Sequence, residues 1–161
     1  MLWSPSAIRR VSSPHARVTL TNDVLRLDRT ASKKVSAPTS RCMEVLRAVE
    51  AYPSWASLIA EAQVLEPGRV RLRAQVMGIP LEMVCSLEIG GNRAVLTRLP
   101  YDPSDDERYV AIWTVRRGEI ELHVEAELDA PSAAGLMRGR IERRLVDDLL
   151  RDFVRESEKV T

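Results

Sequence analysis

The chain has few of the residues that most often carry chemistry. Its 161 residues include two cysteines, two histidines and only 4% aromatic side chains. Cys42 and Cys85 stand far apart, form no Cys-x-x-Cys motif and have no histidine beside them, so neither a zinc site nor a disulfide framework is predicted. We expect no metal and no cofactor. Buried free thiols are the simplest interpretation of the two cysteines, and they favour a reducing, cytoplasmic location.

An excess of charge of one sign is also lacking, as are long apolar runs. The 24 Lys and Arg residues nearly balance the 23 Asp and Glu residues, which leaves a formal net charge of +1. A nucleic-acid-binding protein is therefore not predicted, because such proteins gather basic charge on one face. No apolar run reaches the about 18 residues of a transmembrane helix. A content of 45% apolar and 29% charged residues is typical of one globular domain.

The N-terminal stretch contains no acidic residue. Residues 1–22 carry Arg9, Arg10, Arg17 and several serines. That composition has two interpretations, a transit peptide or an untargeted extension. We adopt the second, because the stretch has no apolar pattern to bury. The predicted division is a disordered extension over residues 1–22 and a folded domain over residues 23–161.

Two short helices are predicted after a first strand at residues 27–35. Hydroxyl residues around Pro38 mark a helix start, and Met43, Leu46 and Val49 recur at helical spacing over residues 38–49. Tyr52-Pro53 ends this helix, because proline disfavours helical geometry in the residue before it. A second short helix is expected over residues 54–60.

The middle of the chain alternates apolar and polar residues, which predicts strands. Short turns such as Pro67-Gly68 and Gly90-Gly91-Asn92 separate them. This pattern is typical of an antiparallel sheet with one apolar face. One strand begins at Val64, and the others are expected at residues 70–76, 81–89, 94–99, 109–115 and 120–128.

The clearest helical pattern lies at the C-terminal end, over residues 134–158. Apolar residues recur there every four positions, at Met137, Ile141, Leu145, Leu149 and Phe153. A helix of this length extends roughly 36 Å and is the only predicted element large enough to cover the apolar face of the sheet.

Two short motifs link this order of elements to a known superfamily. Val35-Ser36-Ala37-Pro38 closes the first strand, and Tyr52-Pro53-Ser54-Trp55 follows the first helix. Over residues 27–158 the chain resembles the START-like (SRPBCC) superfamily, most of all its polyketide cyclase/dehydrase and coenzyme Q-binding groups. The resemblance implies an α+β helix-grip fold, in which a curved antiparallel sheet wraps around a long C-terminal helix. It also implies a hydrophobic cavity between sheet and helix, where members bind lipids, quinones or polyketides.

The predicted inner face of the sheet and helix supplies the candidate ligand contacts. Most are apolar and are equally well explained as core; Arg98 and Tyr109 are the polar exceptions that, with Trp113, could orient a ligand. Trp55 is expected chiefly to anchor the corner at Pro53. The candidates are Trp55, Leu72, Ala74, Val76, Met83, Cys85, Arg98, Tyr109, Trp113, Leu122, Met137, Ile141 and Leu145.

No catalytic residue is predicted. His123 alternates with glutamates on the polar side of its strand, so it points away from the cavity, and we expect Asp102, Asp105, Asp106 and Glu107 to form a solvated loop. The sequence contains no motif typical of a hydrolase or of a phosphate-binding loop.

Three hypotheses for function are left open. The first is a carrier of a hydrophobic small molecule such as a lipid, quinone or polyketide, which predicts a pocket of roughly 300 Å³ or more. The second is a polyketide cyclase or aromatase, which requires acid or base groups inside the cavity. The third is a protein-interaction module, in which the arginine-containing extension serves as an arm for a protein partner.

Overall fold

The computed structural model describes residues 22–159. The predicted extension therefore lies outside the described residues, apart from Asn22. That residue already belongs to the first strand, where it pairs with Pro131.

Seven strands form one antiparallel sheet. The strands are β1 Asn22–Lys34, β2 Ile59–Glu66, β3 Arg69–Val76, β4 Ile79–Gly90, β5 Arg93–Arg98, β6 Arg108–Arg116 and β7 Glu119–Pro131. Strands β2 to β6 each pair with the next strand along the chain, and β1 pairs with β7. The order across the sheet is therefore β1-β7-β6-β5-β4-β3-β2.

The alternation of the sequence determines which face of the sheet is buried. On β6 the side chains of Tyr109, Ala111, Trp113 and Val115 are buried, while the residues between them are half-buried. The same period of two along β7 buries the side chains of even-numbered residues from Ile120 to Ala130. The charged side chains between them face outward, as expected for a sheet with one covered face.

The two short helices differ from their predicted positions. Helix α1 covers Thr39–Arg47, a 3-10 turn covers Val49–Ala51, and α2 covers only Tyr52–Trp55. Tyr52 does not end a helix; it begins one, because Pro53 stands in the first turn, where its missing N–H has no helical partner to lose. The chain then becomes extended at Ala56, so residues predicted as the end of a helix enter β2.

The C-terminal helix runs over residues 132–157 and is not a uniform α-helix. It begins with a 3-10 segment, Ser132–Met137, continues as α3, Arg138–Glu142, widens into a π segment, Arg143–Asp148, and ends as α4, Leu149–Ser157. In an unbroken α-helix a repeat of four residues drifts by about 40° at each step. The wider π turn offsets part of that drift.

Helix and sheet are joined by a shared core and by polar contacts at the β1 edge. The largest fully buried side chains of this core include Phe153, Leu46, Ile120, Leu122 and Leu150. Arg29 of β1 forms two hydrogen bonds of 2.7 Å with the Asp147 carboxylate, and the Glu142 carboxylate accepts the Asp28 backbone N–H. The predicted helix-grip fold is thereby confirmed.

Candidate functional site

A small apolar cavity lies between the C-terminal helix and the sheet. Its volume is about 40 Å³. The wall is contributed by the turn before β2, by strands β2, β3, β4 and β6, and by the helix. The lining residues are Leu58, Ile59, Leu72, Ala74, Leu81, Met83, Tyr109, Leu145 and Leu149.

Tyr109 carries the only polar side-chain group on this wall. It is buried at the start of β6, and no residue within 22–159 forms a hydrogen bond with its hydroxyl. Burial raises the pKa of Tyr109 far above its ordinary value, so the hydroxyl stays protonated and can donate. Because no described protein group accepts a hydrogen bond from this hydroxyl, a ligand with an oxygen acceptor can do so.

The cavity is too small to hold a lipid-sized ligand in this conformation. Small-molecule pockets usually measure about 300 Å³ or more, whereas this one has about 40 Å³. The cavity volume is therefore smaller than the carrier hypothesis predicts. Binding requires that part of the wall moves outward.

The structure brings some of the predicted site residues to the cavity and places others elsewhere. Five lie on the wall: Leu72, Ala74, Met83, Tyr109 and Leu145. Five are buried in the core without lining the cavity: Val76, Cys85, Trp113, Leu122 and Ile141. Trp55 and Met137 are half-buried and pack against that core. Ligand contact by any of them stays a prediction.

Four wall residues were not among the candidates: Leu58, Ile59, Leu81 and Leu149. Leu58 and Ile59 were expected in a helix, and their true position follows from the early end of α2. The sequence pattern could have identified Leu81 and Leu149 as wall residues. Leu81 pairs with Ala74 across β3 and β4, and Leu149 is one step from Leu145 in the repeat of four.

Arg98 lies on the inner face but does not reach the cavity. It pairs with Cys85 across β4 and β5, and its guanidinium lies 2.8 Å from the Asp105 carboxylate and 3.4 Å from that of Glu107. Burial disfavours the charged form of Asp105, yet hydrogen bonds from Arg98 and two backbone amides outweigh it and lower its pKa. The expected solvated loop is thus ordered by a largely buried ion pair.

An aromatic row lies next to the cavity on the helix side. The Phe153 ring is 5.7 Å from the Trp55 ring and 4.8 Å from the Trp113 ring, measured between centroids. Phe153 is fully buried and stands one helical turn beyond the wall residue Leu149. The row joins α2, the sheet and the helix, so it fixes the position of the wall.

Two hydrogen bonds hold the turn that closes the cavity. The Asp152 carboxylate of α4 accepts hydrogen bonds from the Ser57 backbone N–H at 3.0 Å and from its hydroxyl at 2.9 Å. Asp152 is 3% exposed, and Arg151 and Arg155 each lie 3.4 Å from its other oxygen. Because Ser57 directly precedes Leu58 and Ile59, this contact sets the position of two wall residues.

A larger but charged groove lies where the C-terminal helix meets β1 and β7. It measures about 450 Å³ and is lined by Arg26, Leu27, Asp28, Arg108, Glu125, Ala126, Glu127, Arg138 and Glu142. His123 is beside it, 2.5 Å from the Thr30 hydroxyl and 2.8 Å from the Glu125 carboxylate. Charged walls do not suit a hydrophobic ligand, so we place the candidate site in the smaller apolar cavity.

Two further classes of site are not found in the described part of the chain. Residues 22–159 contain no group of side chains placed to hold a metal ion. They also contain no helix with the length and apolar character required to cross a membrane.

Comparison with known proteins identifies the family. No curated protein matches the sequence. Among solved structures, a START superfamily protein from Mycobacterium smegmatis has a TM-score of 0.63 at 15% identity, over 84% of this chain and 99% of that one. The Zhui aromatase/cyclase from Streptomyces sp. R1128 also has a TM-score of 0.63, at 19% identity, over 84% and 94%.

A plant protein, ginseng major latex-like protein 151 from Panax ginseng, has a TM-score of 0.59 at 10% identity, over 84% of this chain and 99% of that one. These likenesses show the fold. Residues 35–154 match the model of a protein family described as polyketide cyclase / dehydrase and lipid transport. The match covers most of the folded domain and includes all nine cavity-lining residues. The chain belongs to this polyketide cyclase / dehydrase and lipid transport family.

Proposed function

We propose that the protein binds a hydrophobic small molecule in the cavity between the sheet and the C-terminal helix. The observation that carries the proposal is an apolar wall with a single unpartnered hydroxyl, that of Tyr109. The ligand class that fits is a largely hydrocarbon molecule with one oxygen acceptor. The family description, which includes lipid transport, supports this class.

Binding is favoured over catalysis, which is the alternative. A cyclase or aromatase needs a positioned acid or base, and the described wall contains neither a carboxylate nor a histidine. Burial raises the pKa of the nearby Cys85 thiol to about 12, so it is not a nucleophile. On this wall, Tyr109 alone could donate a proton or a hydrogen bond. The alternative, catalysis, is supported by the aromatase/cyclase among the similar structures.

The remaining expectations on compartment and partners become part of the proposal. Cys42 and Cys85 are both free and buried. Free thiols support a reducing, cytoplasmic location. The near-zero net charge supports a function without nucleic acid.

The Tyr109 hydroxyl is expected to select ligands that carry an oxygen acceptor. Tyr109→Phe removes the hydroxyl and keeps the ring, so it should weaken binding of acetylnaphthalene by about five- to tenfold, the worth of one hydrogen bond. Binding of ethylnaphthalene, which has no acceptor, should be unchanged or stronger. Titration calorimetry with both compounds measures the difference.

Tyr52→Phe is the matched control. The Tyr52 hydroxyl donates to the Leu46 carbonyl at 2.5 Å and is buried away from the cavity wall. This variant should lose stability without changing the preference between the two compounds. Wild-type protein that binds neither compound would refute the proposed function.

The turn at Ser57 is the part of the wall best placed to open. Leu58 and Ile59 reach the cavity from this turn, and the contacts from Ser57 to Asp152 are what joins it to the helix. Ser57→Ala removes the hydroxyl contact and leaves the backbone one. Because hydrogen bonds to charged groups contribute about 1.5–3 kcal/mol, uptake and release of a fluorescent naphthalene ketone should both become about tenfold faster in stopped-flow measurements.

Ser54→Ala provides the control for this prediction. Its hydroxyl donates to the Ala51 carbonyl at 2.6 Å, within the same helical corner but off the cavity wall. Equal exchange rates for Ser57→Ala and wild type, in protein that does bind the compound, would show that the ligand enters elsewhere.

A further inference from the structure

The start of the C-terminal helix carries an exposed apolar and basic surface. Leu136 is 92% exposed, the highest value among the exposed large hydrophobic residues of the described chain. Four arginines follow within seven residues, against one acidic residue, Glu142. We call this surface the Leu136 patch; it consists of Leu136, Arg140, Arg143 and Arg144, whereas Arg138 faces the charged groove beside β1 and β7.

The patch stands out against the charge of the rest of the described chain. Residues 22–159 contain 21 Lys and Arg residues, because three of the chain's 24 precede Asn22, and they contain all 23 acidic residues. The described chain as a whole therefore has a slight negative excess. Residues 138–144 concentrate positive charge within it.

The helix gives these arginines little stabilisation. Arg138 and Arg140 lie in the first turn of α3, where the macrodipole disfavours positive charge and no acidic residue is present. Arg140 also lies three and four residues before Arg143 and Arg144, a spacing at which like charges repel. The Asp148 carboxylate, 3.6 Å away, offsets the charge of Arg144, whereas within residues 22–159 Arg140 has no ion-pair partner. An exposed arginine without such a partner is available to bind an anion.

The exposed leucine directly precedes the exposed face of α3. Ile141 and Leu145 are buried against the sheet, whereas Leu136, Arg140 and Arg143 are exposed. At about 100° per residue Arg140 and Arg143 project within roughly 60° of each other, opposite the buried side, and Leu136 lies in the 3-10 turn just before them. An apolar side chain flanked by guanidinium groups is the arrangement that inserts into the interface of a bilayer with phosphate groups around it.

We propose that the Leu136 patch docks the protein on an anionic phospholipid surface. Leu136 enters the boundary between headgroups and acyl chains, and Arg140 and Arg143 contact lipid phosphates, with Arg144 beside them. The exposed leucine favours a lipid surface over nucleic acid, whose phosphates offer it no apolar partner. The proposal does not depend on the cavity, because docking requires no cargo.

Sedimentation with phospholipid vesicles tests the proposal on the full chain. Wild-type protein should sediment with vesicles of phosphatidylcholine containing about one third phosphatidylglycerol, and not with phosphatidylcholine alone. Added salt should weaken the association. Removing both charges in Arg140→Gln/Arg143→Gln should lower the partition coefficient about thirtyfold, and Leu136→Ser about tenfold.

A matched double variant separates a local effect from one of overall charge. Arg47→Gln/Arg117→Gln removes two charges from exposed arginines outside the patch, and it should lower partition less than threefold. Melting temperatures of the patch variants should stay close to that of wild type, because Leu136, Arg140 and Arg143 are all exposed. Wild-type partition at background, as expected if the patch serves an acidic protein, would overturn the proposal. So would equal losses in the two double variants.

Discussion

Replacing Phe153 by alanine is expected to lower the free energy of unfolding by about 3–5 kcal/mol, the usual loss for a buried phenylalanine. The side chain is fully buried, and its ring contacts both Trp55 and Trp113. Its removal leaves a void at the point where α2, the sheet and the helix meet. Urea denaturation followed by tryptophan fluorescence measures the loss, and it also reports on the two neighbouring rings.

Phe153→Leu is the appropriate control. It retains most of the buried apolar volume and loses the ring contacts, so it should cost clearly less than the alanine variant. If both variants lost about the same stability, the aromatic geometry would matter more than the filled volume. An alanine variant that lost under about 1 kcal/mol would contradict the close packing seen around this ring.

Leu145→Ala should lower stability by about 2 kcal/mol, at the low end of the range for buried leucines. Leu145 is 3% exposed and lies on the cavity wall, so part of its surroundings is already empty. The same change enlarges the cavity. We therefore expect stronger uptake of a hydrophobic fluorescent probe, measured alongside the urea transition.

Leu150→Ala is matched to this variant in chemistry and burial. Leu150 is 2% exposed on the same helix but does not line the cavity. It should lose more stability, about 3–5 kcal/mol, without a gain in probe uptake. A loss near 5 kcal/mol for Leu145→Ala, with no change in uptake, would indicate a filled core and weigh against ligand binding.

The period of the sequence was enough to predict the strands and the C-terminal helix, and the family resemblance implied the helix-grip arrangement. Strict alternation from Ile120 to Leu128 and the repeat of four from Ile141 to Phe153 each have one structural solution, which the sheet and the C-terminal helix confirm. The corner at Pro53 was not predictable in the same way. Proline is compatible with the first turn of a helix as well as with the end of the one before it, so the local sequence leaves both possible; in the structure Pro53 begins α2, and Trp55 packs against Phe153.

The apolar character of the cavity could be predicted from the sequence, but its volume could not. Alternation placed Leu72, Ala74, Met83 and Tyr109 on one face, and all four line it. Volume depends on how closely helix and sheet approach, which no local pattern encodes. Arg98 shows the same limit: its face was predictable, but its partner Asp105 lies in a loop whose path the sequence does not reveal.

The π segment gives the C-terminal helix a place at which chain length can change. A π turn is an α-helix with one additional residue, so losing one residue between Arg143 and Asp148 would return the segment to α geometry. The apolar residues on both sides would keep their faces. One residue lost elsewhere would instead rotate everything beyond it by about 100° and expose the stripe that Phe153 belongs to. Within this helix, a descendant or a designed variant can therefore be shortened by one residue at the segment that shapes the cavity wall without turning the buried stripe away from the core.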